Sequence, residues 1–274
     1  VIDHEVPTRS GFSSVDQASD PMAYVRRLDS IGAQEFWRAV KRRTFTLLDV
    51  HEGNCLLDVG CGTGDDALAL ARMVGQTGRV AGVDNSAAMI AEARKRAEGT
   101  GLPVAFYRGD ACGLDFPDES FDGCRAERVL QHLDDPRRAV AEMVRVARSG
   151  ARIVLVEPDY GSLIVDGADP ALTRKILNQR CAHFRSGKVG RRLPGICEKL
   201  GLTGIGVALL TLASTDIARE AERHQLGKYV AEAQAAGVIS ATEGAAWLAD
   251  LEAAGAAGRY RHATTIFLVS GRKL

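Results

Sequence analysis

Leu56-Leu57-Asp58-Val59-Gly60-Cys61-Gly62-Thr63-Gly64 is an apolar run that stops on three glycines, each separated from the next by one residue. With Cys55 it reads as a short buried strand entering a sharp turn. Glycines there permit unusual backbone angles and let a ligand approach the main chain closely. From Asp65 to Val74 the pattern turns helical. Strand, glycine turn and helix in that order open a doubly wound α/β sheet, with a ligand site at the carboxyl end of the strand.

Working outward, strand and helix alternate. Arg79–Asp84 reads as a second strand, Ala87–Glu98 as a helix, Val104–Arg108 as a third strand and Phe121–Ala126 as a fourth. Asp135–Val146 reads as a helix entered through an aspartate cap and Pro136, and Arg152–Glu157 as a fifth strand. Short connections between them imply right-handed βαβ units. Upstream, Pro21 to about Val50 has helical periodicity, and residues 1–20, rich in Ser, Asp and Pro, read as a mobile N-terminus. After Pro158 the regularity breaks. Residues 159–192 read as an insertion with a helix over about Pro170–Phe184, the expected lid. A helix (about Leu193–Leu200), a strand (Ile205–Leu212), an alanine-rich helical stretch broken near Gly237 (Ala218–Leu251) and a β-branched strand (Thr264–Ser270) complete residues 193–274. Residues 21–274 are expected to form one domain, with its core at 50–158.

The turn is not a dinucleotide fingerprint, G-x-G-x-x-G. The third glycine comes one residue early, and Asp65 and Asp66 follow it. Two carboxylates at that mouth disfavour a pyrophosphate on the helix N-terminus and suit a ligand with a cationic end. S-adenosylmethionine fits; NAD on a variant turn is the lesser reading. Asp84, with Asn85 behind it, ends the second strand where an acid accepts ribose hydroxyls. Gly109-Asp110-Ala111 follows the third strand, where an acid accepts an adenine amino group.

With Met89, Phe116–Asp122 and Leu130-Gln131-His132-Leu133 added, these stretches resemble the class I S-adenosylmethionine-dependent methyltransferases. The resemblance is to the branch containing ubiquinone and menaquinone C-methyltransferases and natural-product enzymes of secondary metabolism. It covers about residues 50–160. It implies a Rossmann-like sheet of seven strands, the last antiparallel beside the fifth, with helices on both faces. It implies that Gly60, Gly62 and Gly64 underlie the methionine part, that Asp84 holds the ribose, that Met89 packs at the adenine and that Asp110 holds its amino group. Ala126 would offer its carbonyl to the ammonium group. Arg125-Ala126-Glu127-Arg128 departs from the family, being charged where small or apolar residues are frequent.

Other roles stay open at this level. Cys61 is either a small packing residue of the turn or a nucleophile, with no activating base nearby in sequence. Asp58 either orients the turn or touches the ligand. Glu157 and Asp159 follow the fifth strand and are candidate bases, and His183 is a third; loop hydrogen bonding and a solvated face are the plain alternatives. Tyr24, Gln131, His132, Tyr160 and Arg185 are candidate acceptor contacts. The basic run from Arg174 through Arg180 to Arg192 is either a solvated face or a site for an acidic substrate group.

Lys plus Arg number 35 and Asp plus Glu 35, so there is no basic excess of the kind that grips nucleic acid. The partner expected is a small, aromatic or heterocyclic acceptor, with carbon, nitrogen and oxygen attack all open. An RNA or protein methyltransferase, or a relative using the cofactor structurally, are the rivals. None of the six cysteines forms a C-x-x-C pair, and no metal site is expected. With no apolar run of about 20 residues and no signal-like start, a cytoplasmic protein without a membrane partner, monomer or homodimer, is expected.

Overall fold

The computed structural model describes residues 11–218 and 226–274. Two helices precede the sheet, α1 (Pro21–Gly32) and α2 (Glu35–Leu48). The single helical stretch read from the sequence splits at Gln34, whose backbone is extended at ψ 135°; α1 runs out at Gly32, a poor helix former. The strands are β1 (Cys55–Val59), β2 (Arg79–Asp84), β3 (Val104–Arg108), β4 (Phe121–Glu127), β5 (Ala147–Val165), β6 (Thr203–Ser214) and β7 (His262–Arg272). They form one seven-stranded sheet in the order β3-β2-β1-β4-β5-β7-β6. The first five pair in parallel, and β7 inserts antiparallel between β5 and β6, as the family resemblance implied.

Helices α3 (Asp65–Val74), α4 (Ala87–Ala97) and α5 (Pro136–Val146) make the crossovers, and α6 (Pro170–His183), α7 (Val189–Lys199), α8 (Leu226–Ala235) and α9 (Ala241–Ala256) complete the described helices. Apolar cores fill both faces of the sheet, one around Leu57, Met143 and Ile153, the other around Trp37, Leu70 and Val154. A third core, around Trp247, Tyr229 and Tyr260, joins α6, α8 and α9 to the far end of β5. Within it Trp247 Nε1 donates to Thr173 Oγ1 at 2.9 Å.

Three expectations change. The strand read as Arg152–Glu157 runs through Pro158 to Val165. The Val156 carbonyl faces β4, accepting from Arg128 N at 2.8 Å. Two residues on, Pro158 turns to the same side, past the end of β4, so its missing N–H breaks no ladder bond. The insertion therefore begins after β5, and α7 starts at Val189, inside the stretch assigned to the lid. Part of the stretch read as mobile is packed: Val15 is buried against Val25 and Met89. Asp16 caps α4, accepting from Ala87 N at 2.8 Å and Ala88 N at 3.1 Å. Residues 1–10 of that segment, and 219–225 of the alanine-rich stretch, lie outside the described residues. Gly237, at φ +66°, separates α8 from α9 as read.

The glycines of the β1–α3 turn are required by space as well as by angle. Gly64 has φ +81°, and an added Cβ would stand 2.6 Å from the Phe106 ring and 2.9 Å from Ala93. Left-handed strain costs about 1–2 kcal/mol and overpacking about 1–3 kcal/mol. Gly64→Ala should therefore lose about 2–5 kcal/mol in urea denaturation. Gly99→Ala, at φ +69° in open space, should lose only the strain; equal losses would show that packing at Gly64 carries nothing.

Candidate active site

The loops after β1, β2 and β3 meet at one cavity of about 180 Å³. Gly60 N and Cys61 N both donate to Val83 O of β2, at 2.7 and 2.9 Å, which fixes the turn against the neighbouring strand. Asp84 then bridges the loops: Gly62 N donates to Oδ2 at 3.0 Å and Ser86 N to Oδ1 at 2.9 Å. Each oxygen keeps a further lone pair. Burial raises this carboxyl above its usual range, with the two N–H donors opposing. After β3, Asp110 Oδ1 accepts from Cys112 N at 2.8 Å.

The cavity brings together Asp58, Gly60, Cys61, Gly62, Asp84, Asn85, Met89, Gly109, Asp110 and Ala111. Gly64 lies beneath it as the N-cap of α3. Ala126 is excluded from the lining; its side chain is in the core and its backbone in the ladder between Val59 and Leu155. Burial raises the Cys61 thiol well above its usual value, which fits a packing residue.

The floor is a buried charge cluster. Arg125, 1% exposed, donates from Nη1 to Asp58 at 2.9 Å and to Asp66 at 2.8 Å, and from Nη2 to Glu127 at 2.8 Å. Lys41 reaches Asp66 at 2.7 Å, and Asp65 turns outward to Arg96 at 2.9 Å. Asp65 and Asp66 are thus already paired, so their presence at the mouth does not by itself select a cationic ligand. Burial pushes the Asp58 carboxyl up to about 7 despite Arg125. At Asp66 burial acts upward too, but Arg125 and Lys41 outweigh it and hold the group low.

Three expected bases are committed elsewhere. Glu157, fully buried, accepts from the backbone N–H groups of Val129, Leu130 and Gln131 at 2.7, 2.6 and 3.3 Å and so shapes the loop after β4. Asp159 is buried in an ion pair with Arg191 and accepts from Gly161 N at 3.0 Å. His183 lies 3.5 Å from Glu232, and it is absent from the cavity lining.

The acceptor candidates divide. Gln131 and His132 line the cavity. Gln131 Nε2 stands 3.0 Å from His132 Nε2; an amide N–H donates there, which assigns the imidazole proton to Nδ1. Burial, reinforced by Arg128 and Arg180, lowers this imidazole to about 3, so it is neutral at physiological pH. Tyr24 and Tyr160 do not reach the cavity but join a ring cluster that does. Phe12 contacts Tyr24 edge-on at 5.0 Å and His132 at 5.9 Å, His132 lies 5.8 Å from Phe184, and Tyr160 stacks on Phe184 at 3.9 Å. Arg185 is exposed and pairs with Asp134.

Residues 57–155 match a family model described as a methyltransferase domain. The chain is 34% identical over 268 residues to an uncharacterized 37.1 kDa protein in transposon TN4556 of Streptomyces fradiae, covering 97% of this chain and 75% of that one. It is 32% identical over 159 residues to a ubiquinone/menaquinone biosynthesis C-methyltransferase of Marinomonas sp., covering 56% of this chain but only 62% of that enzyme. The chain belongs to the class I S-adenosylmethionine-dependent methyltransferases. The crystal structure of the YcgJ protein from Bacillus subtilis shares the fold, with TM-score 0.61 at 21% identity over 86% of this chain and 98% of that one.

The cavity of this methyltransferase fits its cofactor, S-adenosylmethionine. A glycine-rich turn faces a carboxylate with spare lone pairs at Asp84. Arg125 Nε and Gln131 Oε1, from two lining residues, are buried without hydrogen-bond partners. Sequence reasoning missed Phe12, Val15, Leu28 and Lys41, which also line it. Phe12 and Val15 carry no periodic signal in a polar stretch. Leu28 and Lys41 sit on helices whose facing depends on long-range packing.

Glu157 makes stability depend on pH. Burial raises its carboxyl from the ordinary 4.5 to about 8, against the three N–H donors. The folded state then holds a proton that the unfolded chain has released. The resulting stabilisation is complete below about 4.5 and is lost as pH rises through about 8. Urea denaturation between pH 5 and 9 should show stability falling, with Glu157→Gln flattening the part above pH 7, beyond the range of Asp58. An unaltered slope in the variant would assign the effect to other groups.

Proposed function

We propose that the protein transfers a methyl group from S-adenosylmethionine to a small aromatic or heterocyclic acceptor, in the cytoplasm. One observation carries the acceptor class: Phe12 and His132 belong both to the cavity and to the aromatic cluster beyond it. A flat ring slides between such faces with favourable stacking. The six cysteines, all free, suit a reducing compartment.

In this reading Asp84 holds the ribose hydroxyls, Asp110 the adenine amino group, and Met89 packs beside the base. The glycine turn passes under the methionine part. Bound there, S-adenosylmethionine supplies a methyl carbon activated by positive sulfur. An electron pair of the acceptor forms the new bond to that carbon while the sulfur–methyl bond breaks, its pair staying on sulfur. The proton lost by the acceptor goes to water. The protein's work is alignment of the acceptor with the methyl carbon. Glu157 and Asp159 are bound up in structure, and His132 is too weakly basic and already hydrogen-bonded. An electron-rich ring carbon, or a heteroatom that ionises by itself, suits this site better than an alcohol that needs a base.

Calorimetry should show micromolar binding of S-adenosylmethionine and none of NAD. Asp84→Ala should weaken it by about 1.5–3 kcal/mol, the scale of hydrogen bonds to a charged group; a folded variant with unchanged affinity would sink the ribose assignment. Incubation with catechols and quinols should yield S-adenosylhomocysteine and a methylated product by mass spectrometry. Methylation of RNA alone would favour the macromolecular reading, and tight binding without turnover of any acceptor the structural use of the cofactor.

His132→Asn should lower kcat/KM by less than the roughly 10²–10⁴-fold cost of a lost general base. It should also leave the pH–rate profile between 6 and 8 unchanged. A limb that disappears in the variant would make His132 the base.

A further inference from the structure

The aromatic cluster is ringed by more positive charge than the one carboxylate beside it, Glu232, offsets. Arg27, on α1, holds its guanidinium carbon 5.8 Å from the centre of the Phe12 ring. Arg180, on α6 and 7% exposed, holds its own 4.7 Å from Phe184, 5.9 Å from Tyr160 and 4.7 Å from Tyr229. The two arginines flank the same ring cluster, Arg27 at Phe12 and Arg180 at Phe184 and Tyr160. Burial first, then the Arg180 charge, lowers the Arg27 guanidinium, with Tyr160, Tyr229 and Tyr24 opposing. Lys228, on α8, stands at the exposed rim. Desolvation lowers its ammonium, with Glu232 opposing and Arg180 and Arg27 adding to the fall.

A single carboxylate, Glu232, answers this group. It lies 3.1 Å from Arg180 Nη1 and 3.5 Å from His183 Nε2. Burial lowers His183 below its usual range despite Glu232, so the imidazole adds no charge at neutral pH. Among the described residues Arg27 makes no ion pair. Arg180 Nε is buried with no hydrogen-bond partner. Cation–π contact with the rings offsets part of the cost of this arrangement, but a half-buried guanidinium without an anion remains unfavourable. The planar fork of a guanidinium matches a carboxylate or phosphate through paired N–H donors, and here two forks stand beside rings that would stack on an aromatic ligand.

We propose that Arg27 and Arg180 bind an acidic group, carboxylate or phosphate, carried by the aromatic acceptor. The acid anchors the far end of the acceptor between α1 and α6, and its ring lies against Phe12, His132 and Phe184 toward the methyl carbon. The inference rests on the methyltransferase reading of the cavity and narrows it from aromatic compounds to aromatic acids.

The test uses the full chain saturated with S-adenosylhomocysteine, titrated calorimetrically with benzoate, phenyl phosphate and benzyl alcohol. One of the anions should bind at least tenfold more tightly than the alcohol, and which one wins separates carboxylate from phosphate. Arg27→Gln should cost that anion at least tenfold in affinity and leave the alcohol and S-adenosylhomocysteine within twofold. Arg27→Lys, which keeps the charge but loses the fork, should fall between. Equal binding of anion and alcohol, no binding of any of the three, or an anion affinity indifferent to Arg27→Gln would each overturn the proposal. Should Arg27→Gln not fold, the anion-to-alcohol ratio of the unaltered protein and the Arg27→Lys result decide. Failure of S-adenosylhomocysteine itself to bind would instead remove the methyltransferase reading, so the two failures are distinguishable.

Discussion

One guanidinium organises the mouth of the sheet. Arg125 on β4 draws in Asp58 from β1, Asp66 from α3 and Glu127 from its own strand, while Lys41 of α2 adds a second cation to Asp66. Five charged groups taken out of water lose hydration that only their mutual contacts return. Removing one partner from such a cluster typically costs about 3–5 kcal/mol, because the others are left buried and unpaired. The cluster therefore fixes the relative positions of β1, α3, β4 and α2, and with them the glycine turn. The charged stretch Arg125–Arg128, unusual for the family, is on this view the floor of the cavity.

A buried carboxyl group anchors the neighbouring loop. Glu157 gathers three consecutive backbone N–H groups of the loop after β4, and that loop carries Gln131 and His132 to the cavity. The loop needs this support because it starts at Arg128 in a left-handed conformation, φ +57°, which no glycine relieves. Candidate bases that turn out to be loop anchors leave the site with structure where a hydroxyl-methylating enzyme would keep a proton acceptor.

The first three strands were legible in the sequence because each ends on a local signal. Three glycines follow Val59, Asp84 closes β2, and Gly109-Asp110 closes β3, so many residues that line the cavity could be named in advance. What escaped depends on contacts between distant segments. Asp16 caps a helix that starts 71 residues later, and nothing near Asp16 announces it. The run through Pro158 is invisible locally, because proline argues for a break unless the neighbouring strand has already ended. The charges of Asp65 and Asp66 were read correctly as acids, but their partners, Arg96, Lys41 and Arg125, come from three other elements.

Charge is distributed along the site with a polarity of its own. Asp84 and Asp110, carboxylates without an ion-pair partner among the described residues, stand at the cofactor end, and the cations Arg27, Arg180 and Lys228 beyond the aromatic rings. A cationic methyl donor and an anionic acceptor would each lie in the region of opposite sign, meeting at Phe12 and His132 where the polarity changes. Such a field resists the reverse placement of either ligand and orients both along one line. With Glu157, Asp159 and His132 committed elsewhere or weakly basic, orientation is the main contribution in this reading, and effective molarities of well-aligned reactants are large enough to carry it. The same arrangement reinforces the burial that keeps His132 neutral: among Arg128, Arg180 and Arg185 an imidazolium would also be repelled, whereas a neutral ring gives the acceptor a flat wall.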